Sequence, residues 1–279
     1  MKKLVITAAV LACVASIVSA QTVTSANIVG YSKVDKPGGA ELNIMGITFL
    51  SGDSTLESVC PVAQFSGSYL SSAEADQIIT YTPAAGATPG FYTTYAFYDA
   101  SGIGYPEKSG WKTLANFGFN DLVENPVVPA GSGLWIKSGS LTSSTNVILS
   151  GEVVADAAVT NSIVTGLQLV SNPFSDTVKL TSMSLTNNAT GSYTTSSEAD
   201  QVIVYTPAVG ATPGFYTTYA FYDASGIGYP EKSGWKTLAN FGFNELFTDV
   251  ELQTGQGFWY NAQADFEWVE TNRYLNAYN

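Results

Sequence analysis

The passage GFYTTYAFYDASGIGYPEKSGW begins at Gly90 and again at Gly214, letter for letter. At this offset of 124, residues 74–122 match residues 198–246 with four differences in 49 positions: Ile78/Val202, Thr80/Val204, Ala85/Val209 and Asp121/Glu245. The offset also carries Gly131-Ser132-Gly133-Leu134-Trp135 onto Gly255-Gln256-Gly257-Phe258-Trp259. A period this long is a domain duplication, because solenoid units repeat every ~20–50 residues. The chain must therefore fold as two units of one design. Upstream, Gly46-Ile47-Thr48-Phe49-Leu50-Ser51 resembles Gly166-Leu167-Gln168-Leu169-Val170-Ser171 at an offset of 120, which places four extra residues in copy two near Asn187-Asn188. Ile28-Val29-Gly30-Tyr31 then answers Gly151-Glu152-Val153-Val154.

Short β-rich runs recur between Gly, Pro, Ser and Asn, with no long 3.6-residue period. Copy one predicts strands at 27–34, 44–50, 77–82, 91–98, 133–137 and 146–154, and copy two at 167–170, 201–206, 215–222 and 257–261. Helix is confined to turns such as 55–59. The expected fold is all-β: two tandem β-sandwich or small-barrel domains at residues 21–149 and 150–279.

Residues 1–20 read as a secretory signal peptide: Lys2 and Lys3, an apolar run over 4–18, and Val18-Ser19-Ala20 before cleavage. The run is shorter than the ~20 residues of a membrane span. Lipoprotein processing at Cys13 is the alternative. No later run is long and apolar enough to span, so the expected location is secreted or on the outer cell surface. Losing Lys2 and Lys3 takes the net charge from −12 to −14. That disfavours nucleic acid, which needs clustered Lys and Arg. Only 12% of residues are charged, so Ser, Thr, Asn, Gly and Tyr must build the surface.

The chain has no histidine. This removes the commonest general base and metal ligand, and every Ser-His or Cys-His arrangement. After the leader only Cys60 remains, so no internal disulfide is expected; its neighbours in ESVCPV predict a buried thiol.

Candidate chemistry lies in the duplicated passage. On the strand at 91–98, Phe91, Thr93, Tyr95 and Phe97 form the expected core face, leaving Tyr92 and Tyr98 on a half-exposed one. The loop at 99–110 adds Tyr105. Tyr92, Tyr98 and Tyr105, with Tyr216, Tyr222 and Tyr229, are the candidate ligand-binding residues, since flat rings stack on sugars. Trp111 and Trp235 read as core. Asp99 with Glu107, and Asp223 with Glu231, are paired loop acids of the kind that hydrolyse glycosidic bonds without histidine. Asp99 equally suits an Asx-turn. Glu74, Asp76 and Asp99 are oxygen donors for calcium, but no EF-hand spacing appears. No metal site or cofactor is expected. Asn188-Ala189-Thr190 fits a glycosylation sequon. GSGLW and GQGFW lack the Lys-Ser/Thr and helix of a phosphate loop, and read as tight strand entries.

NIVGYSKV at 27–34, GLQLVSNPF at 166–174 and PAGSGLWIKS at 129–138 followed by SGEVV carry a resemblance. The chain resembles the secreted tandem-repeat β-proteins of verrucomicrobial and lentisphaeral-type bacteria, which read N-V-V-G-Y, G-x-x-L-I-x-N-P, P-G-x-G-F-W and G-E-V. Copy one lacks the Asn-Pro at Leu50-Ser51-Gly52-Asp53. Copy two has Gln253-Thr254 for Pro129-Ala130 and no closing G-E-V. The resemblance implies fold and export and carries over no catalytic residue. The expected function is a non-enzymatic, extracellular structural or adhesive module. The alternatives are a carbohydrate-binding protein using the aromatic faces and a glycan hydrolase using the loop acids. Polysaccharide or cell-envelope components are the expected partners.

Overall fold

The structure, a computed structural model, describes residues 29–274. The leader expected at 1–20, with Cys13 and the cleavage expected after Ala20, lies outside the described residues, as do the first two residues of the strand expected at 27–34.

The first half contains β1 (Val29–Lys36), β2 (Leu42–Gly46), β3 (Phe49–Leu50), β4 (Gln77–Thr82), β5 (Phe91–Tyr98), β6 (Gly110–Thr113), β7 (Gly133–Lys137) and β8 (Thr145–Val153). The second contains β9 (Ala158–Ile163), β10 (Gly166–Ser171), β11 (Val178–Lys179), β12 (Gln201–Thr206), β13 (Phe215–Tyr222), β14 (Gly234–Thr237), β15 (Glu251–Leu252), β16 (Gly257–Ala262) and β17 (Phe266–Thr271). The fold is all-β, as expected. Each half is built on a five-stranded antiparallel sheet of the same order, β2-β7-β4-β5-β6 and β10-β16-β12-β13-β14. Smaller sheets, β1-β8-β3, β9-β17 and β11-β15, complete the halves, and none of the described sheets closes into a barrel.

The core of repeat one lies between its two sheets. Ile78, Tyr95, Phe97, Trp111, Leu134 and Ile136 from the large sheet meet Val34, Val147 and Leu149 from the small one. In repeat two, Val202, Tyr219, Trp235, Phe258 and Tyr260 meet Ile163 and Trp268. Each such side chain stabilises by about 1.5–3 kcal/mol on burial. Trp111 and Trp235 are core residues, and their indole N–H groups donate to Cys60 O at 3.0 Å and Thr186 Oγ1 at 2.9 Å. Cys60 is buried, and burial pushes its thiol far above the ordinary range.

Three expectations are corrected. β8 runs through position 149/150 and pairs with β1 along its length, so that boundary falls inside a strand; the chain crosses between halves at 154–157. The upstream alignment also shifts. Gly46 pairs with Gly133, and Ser171 pairs with Gly257, so Gly46 answers Ser171 rather than Gly166. The four extra residues near Asn187-Asn188 disappear, and β9, rather than residues 151–154, occupies the place of β1. Finally, β5 does not alternate cleanly between core and surface. Its start, Phe91-Tyr92, is exposed and its end, Tyr95 to Tyr98, is buried on both faces. The second face is buried because the loop after β6 folds over it.

A third apolar cluster joins the halves. Trp135 and Trp259 project from the opposite faces of β7 and β16 to Leu134, Ile136, Phe258 and Tyr260, as strand alternation requires. They pack with Ile44 and Leu169, flanked by Tyr81 and Tyr205. The contacts are reciprocal. Tyr81 meets Trp259 with ring centroids 4.9 Å apart, and Tyr205 meets Trp135 at 5.0 Å. Gly46 N donates to Gly255 O at 2.7 Å, and Ser171 N donates to Gly131 O at 2.8 Å. Residue i meeting j while j's equivalent meets i's is the signature of a twofold-like joint. The GSG and GQG turns are strand entries, as expected, and they also form this joint. Gly131 has φ +89°, and a Cβ on Gly257 would lie 2.7 Å from Met45 O, so both positions need glycine.

Candidate functional site

The six candidate tyrosines divide into three pairs. Tyr92 and Tyr216 belong to the joint: Tyr92 lies 6.1 Å from Trp259, and Tyr216 lies 6.4 Å from Trp135, each also touching its own neighbour Tyr81 or Tyr205. Tyr98 and Tyr222 are 2% and 1% exposed, so their assignment to an open ligand face is overturned. Tyr105 and Tyr229 are 47% and 48% exposed and stay available, and Tyr92 and Tyr216, at 59% and 55%, remain exposed beside the joint.

A buried lysine explains the second pair. Lys112 Nζ donates to Gly118 O and Asn120 O, both at 2.8 Å, and sits 4.5 Å over the Tyr98 ring. Lys236 repeats this with Gly242 O, Asn244 O and Tyr222. Burial pushes both ammonium groups below the ordinary lysine range. The loop after β6 therefore winds around an internal cation, with Tyr98 as its floor and Phe117 edge-on at 5.3 Å. The sequence clue was a lone Lys inside the apolar strand GWKT, followed by a Gly/Asn segment rich in carbonyls.

This lysine-centred loop positions a second aromatic that the sequence reading missed. Phe119 meets Tyr105 edge-on at 4.9 Å, and Phe243 meets Tyr229 at 4.9 Å. Both phenylalanines are 54% exposed. Lys108 pairs with Asp121 beside this corner, and Lys232 pairs with Glu245, so Asp121/Glu245 conserves the charge where the letters differ. Ile103 and Leu122, with Ile227 and Leu246, extend the exposed apolar surface. The partner loop is compact: Gly104 turns left-handed at φ +90°, Pro106 opens a single 3₁₀ turn, and Tyr105 N donates to Ala100 O at 3.1 Å.

The loop acids serve this turn. Asp99 Oδ1 accepts from Ser101 N at 2.9 Å, the Asx-turn geometry. Hydrogen bonds from Ser101, against partial burial, hold its carboxyl below the ordinary range; Asp223 behaves the same way with Ser225. Glu107 and Glu231 stand exposed on the 3₁₀ turns. Of the calcium candidates, Asp76 is buried against Lys36 and accepts from Ser66 N at 2.7 Å and Gly139 N at 2.8 Å, so it does not face an ion site. Glu74 accepts from Ser68 Oγ at 3.1 Å. No group of three or more His, Cys, Asp or Glu that could hold a metal occurs among the described residues. A shallow cleft of about 500 Å³ runs between Asp35, Glu41 and Asn146 of repeat one and the β12–β13 hairpin tip at Val209; none of the six tyrosines lines it.

The chemistry this surface offers is two equal aromatic corners on rigid frames, each with a phenol hydroxyl and an adjacent ion pair. Such corners stack on apolar ring faces, and the polar tip hydrogen-bonds. No family model, curated protein or solved structure matches the chain.

Proposed function

We propose that the protein is an exported, non-enzymatic structural or adhesive module of the cell surface, which bridges ligands through its two aromatic corners. The observation that carries this reading is the Tyr105–Phe119 pair and its copy Tyr229–Phe243, equal in geometry and exposure. The joint supports bridging. A twofold relation displaces equivalent points in opposite directions from its axis. Tyr92 touches the joint, while Tyr98 lies six residues further along β5, about 20 Å at strand rise. Each corner sits beyond that distal end. Two separated corners suit cross-linking of two strands of ligand better than one continuous groove.

Carbohydrate binding is the second reading, favoured by the edge-on ring pair and its phenol, and it names the occupant: a neutral polysaccharide of the envelope or surroundings. The net charge of −14 left once Lys2 and Lys3 are removed from the −12 of the whole chain opposes anionic polymers. Hydrolysis by the loop acids has weaker support, because Asp99 is held low while a glycosidase acid needs a raised pKa.

The test is native electrophoresis through gels of neutral polysaccharides, with polymer cross-linking followed by turbidity. The expected result is retardation and turbidity in the parent. Tyr105→Ala with Phe119→Ala keeps retardation but loses turbidity, and removing both corners loses both. Normal migration of the parent in every gel overturns the reading.

A further inference from the structure

We infer that the joint between repeats is an exchange interface, and that its other occupant is a second copy of this chain. The joint is self-complementary. Each side presents the same elements: a Trp on the strand next to the sheet edge (Trp135, Trp259), a Tyr on the strand beside it (Tyr81, Tyr205), and a glycine turn whose carbonyl accepts from the other repeat's edge strand. Isolated bridges Met45↔Gln256 and Ser132↔Val170 repeat the relation. Repeat one of one molecule therefore finds, on repeat two of another, the identical partner it has within its own chain. No new contact is needed, which is the condition for swapping.

Two further observations place the exchange here. The connection is short, residues 154–157 between β8 and β9. Asn272 Nδ2 donates to Val154 O at 3.0 Å and Asp156 O at 3.1 Å, which pins the connection to repeat two and leaves the hinge at the end of β8. Short hinges favour exchange over closure when they are tightened. The joint also holds two orphaned polar atoms. Ser32 Oγ and Asn161 Nδ2 are buried without a hydrogen-bond partner. They face the two equivalent turns, Gly255 and Gly131, where a Cβ would lie 2.7 Å and 2.6 Å from them. Opening the joint lets water satisfy both, so its closed form is held by apolar packing against an unmet polar demand.

The exchanged product is a closed dimer with two joints of unchanged chemistry and four aromatic corners. A short connection gives the internal partner a millimolar effective concentration, so dilute protein stays monomeric. The inference concerns assembly alone and stands whether or not the corners bind a ligand.

The experiment takes the exported chain from Gln21 onward in two versions of different mass, mixed, unfolded in guanidinium and refolded. Refolding at millimolar concentration is expected to give dimers that include the mixed-mass species and persist on dilution; refolding at micromolar concentration gives monomers. Deleting Ala155 alone tightens the hinge and is expected to lower the concentration at which dimers appear by about tenfold, and a ten-residue Gly/Ser insertion after Val153 relieves that strain and is expected to raise it by about tenfold. Monomers at every concentration for the parent, or a dimer yield indifferent to hinge length, would overturn the inference.

Discussion

In repeat one, Asp76 is a buried hub that accepts from Ser66 N, Gly139 N and the Lys36 ammonium. In repeat two, Asp200 is buried at the equivalent place and accepts from Thr190 N at 2.9 Å, Gln263 N at 2.6 Å and the Tyr260 hydroxyl at 2.6 Å. The two backbone donors are the same in both. The third is an ammonium from β1 in one repeat and a phenol from β16 in the other, where repeat one has the apolar Ile136. One carboxylate meets a cation; the other is held by hydrogen bonds alone. Burial, and then the Asp200 charge, push the Tyr260 hydroxyl far above the ordinary range, so it remains a donor. The comparison teaches that the duplicated centre dictates the need for a third donor, while the diverged flanks decide which one answers. By contrast, the Lys112 and Lys236 loops lie inside the near-identical stretch and are solved the same way twice.

The largest effect should come from the hub of repeat one. Lys36→Met strands a buried carboxylate and is expected to destabilise by about 3–5 kcal/mol in urea unfolding. Tyr260→Phe removes a neutral donor and should cost less, about 1–3 kcal/mol. Equal losses would break the distinction between the two hubs. Adding Ile136→Tyr to Lys36→Met transplants the phenol solution into repeat one, and part of the lost stability should return.

Next come the internal cations. Lys112→Met and Lys236→Met each leave carbonyls unsatisfied, at about 1–3 kcal/mol. Their effects should agree within about 0.5 kcal/mol and add in the double variant, because the two sites share no partner. Each should also loosen its own aromatic corner, read as faster amide exchange over 114–122 or 238–246.

The smallest effect is the acid limb. Asp99 and Asp223 have folded values below their unfolded ones, so their contribution is complete above the ordinary carboxylate pKa of ~3.9 and is lost as pH falls through the lower folded value. Asp99→Asn and Asp223→Asn keep the turn but should flatten stability against pH below about 4, by the same amount in each repeat. A flattening in only one repeat would show that the two turns are not equivalent.

Much of this was legible in the letters. Strands appear at 77–82, 91–98 and 133–137 as expected, since β-rich runs between turn residues are local signals. The Asx-turn at Asp99, the buried thiol of Cys60 and the exposure of Tyr105 were read from immediate neighbours. The errors share a different cause. The shared Gly46/Gly166 letter drew the upstream alignment away from Phe49 and Phe174, both buried, whose burial reports the true correspondence. Strand alternation puts Tyr98 outside because it sees one sheet face at a time and cannot foresee a loop closing over the other. Lys36 meets Asp76 across 40 residues, and no spacing rule links them.

The sequence by itself determined that one β-rich passage occurs twice, where several of its strands run, and that each copy carries an aromatic loop, because pairing and turn preference act over a few residues. Only the tertiary structure decided which tyrosines are floor, joint or surface, and which group answers each buried aspartate. Those outcomes depend on what covers the second face of a sheet, and that covering comes from segments distant along the chain or from the other repeat.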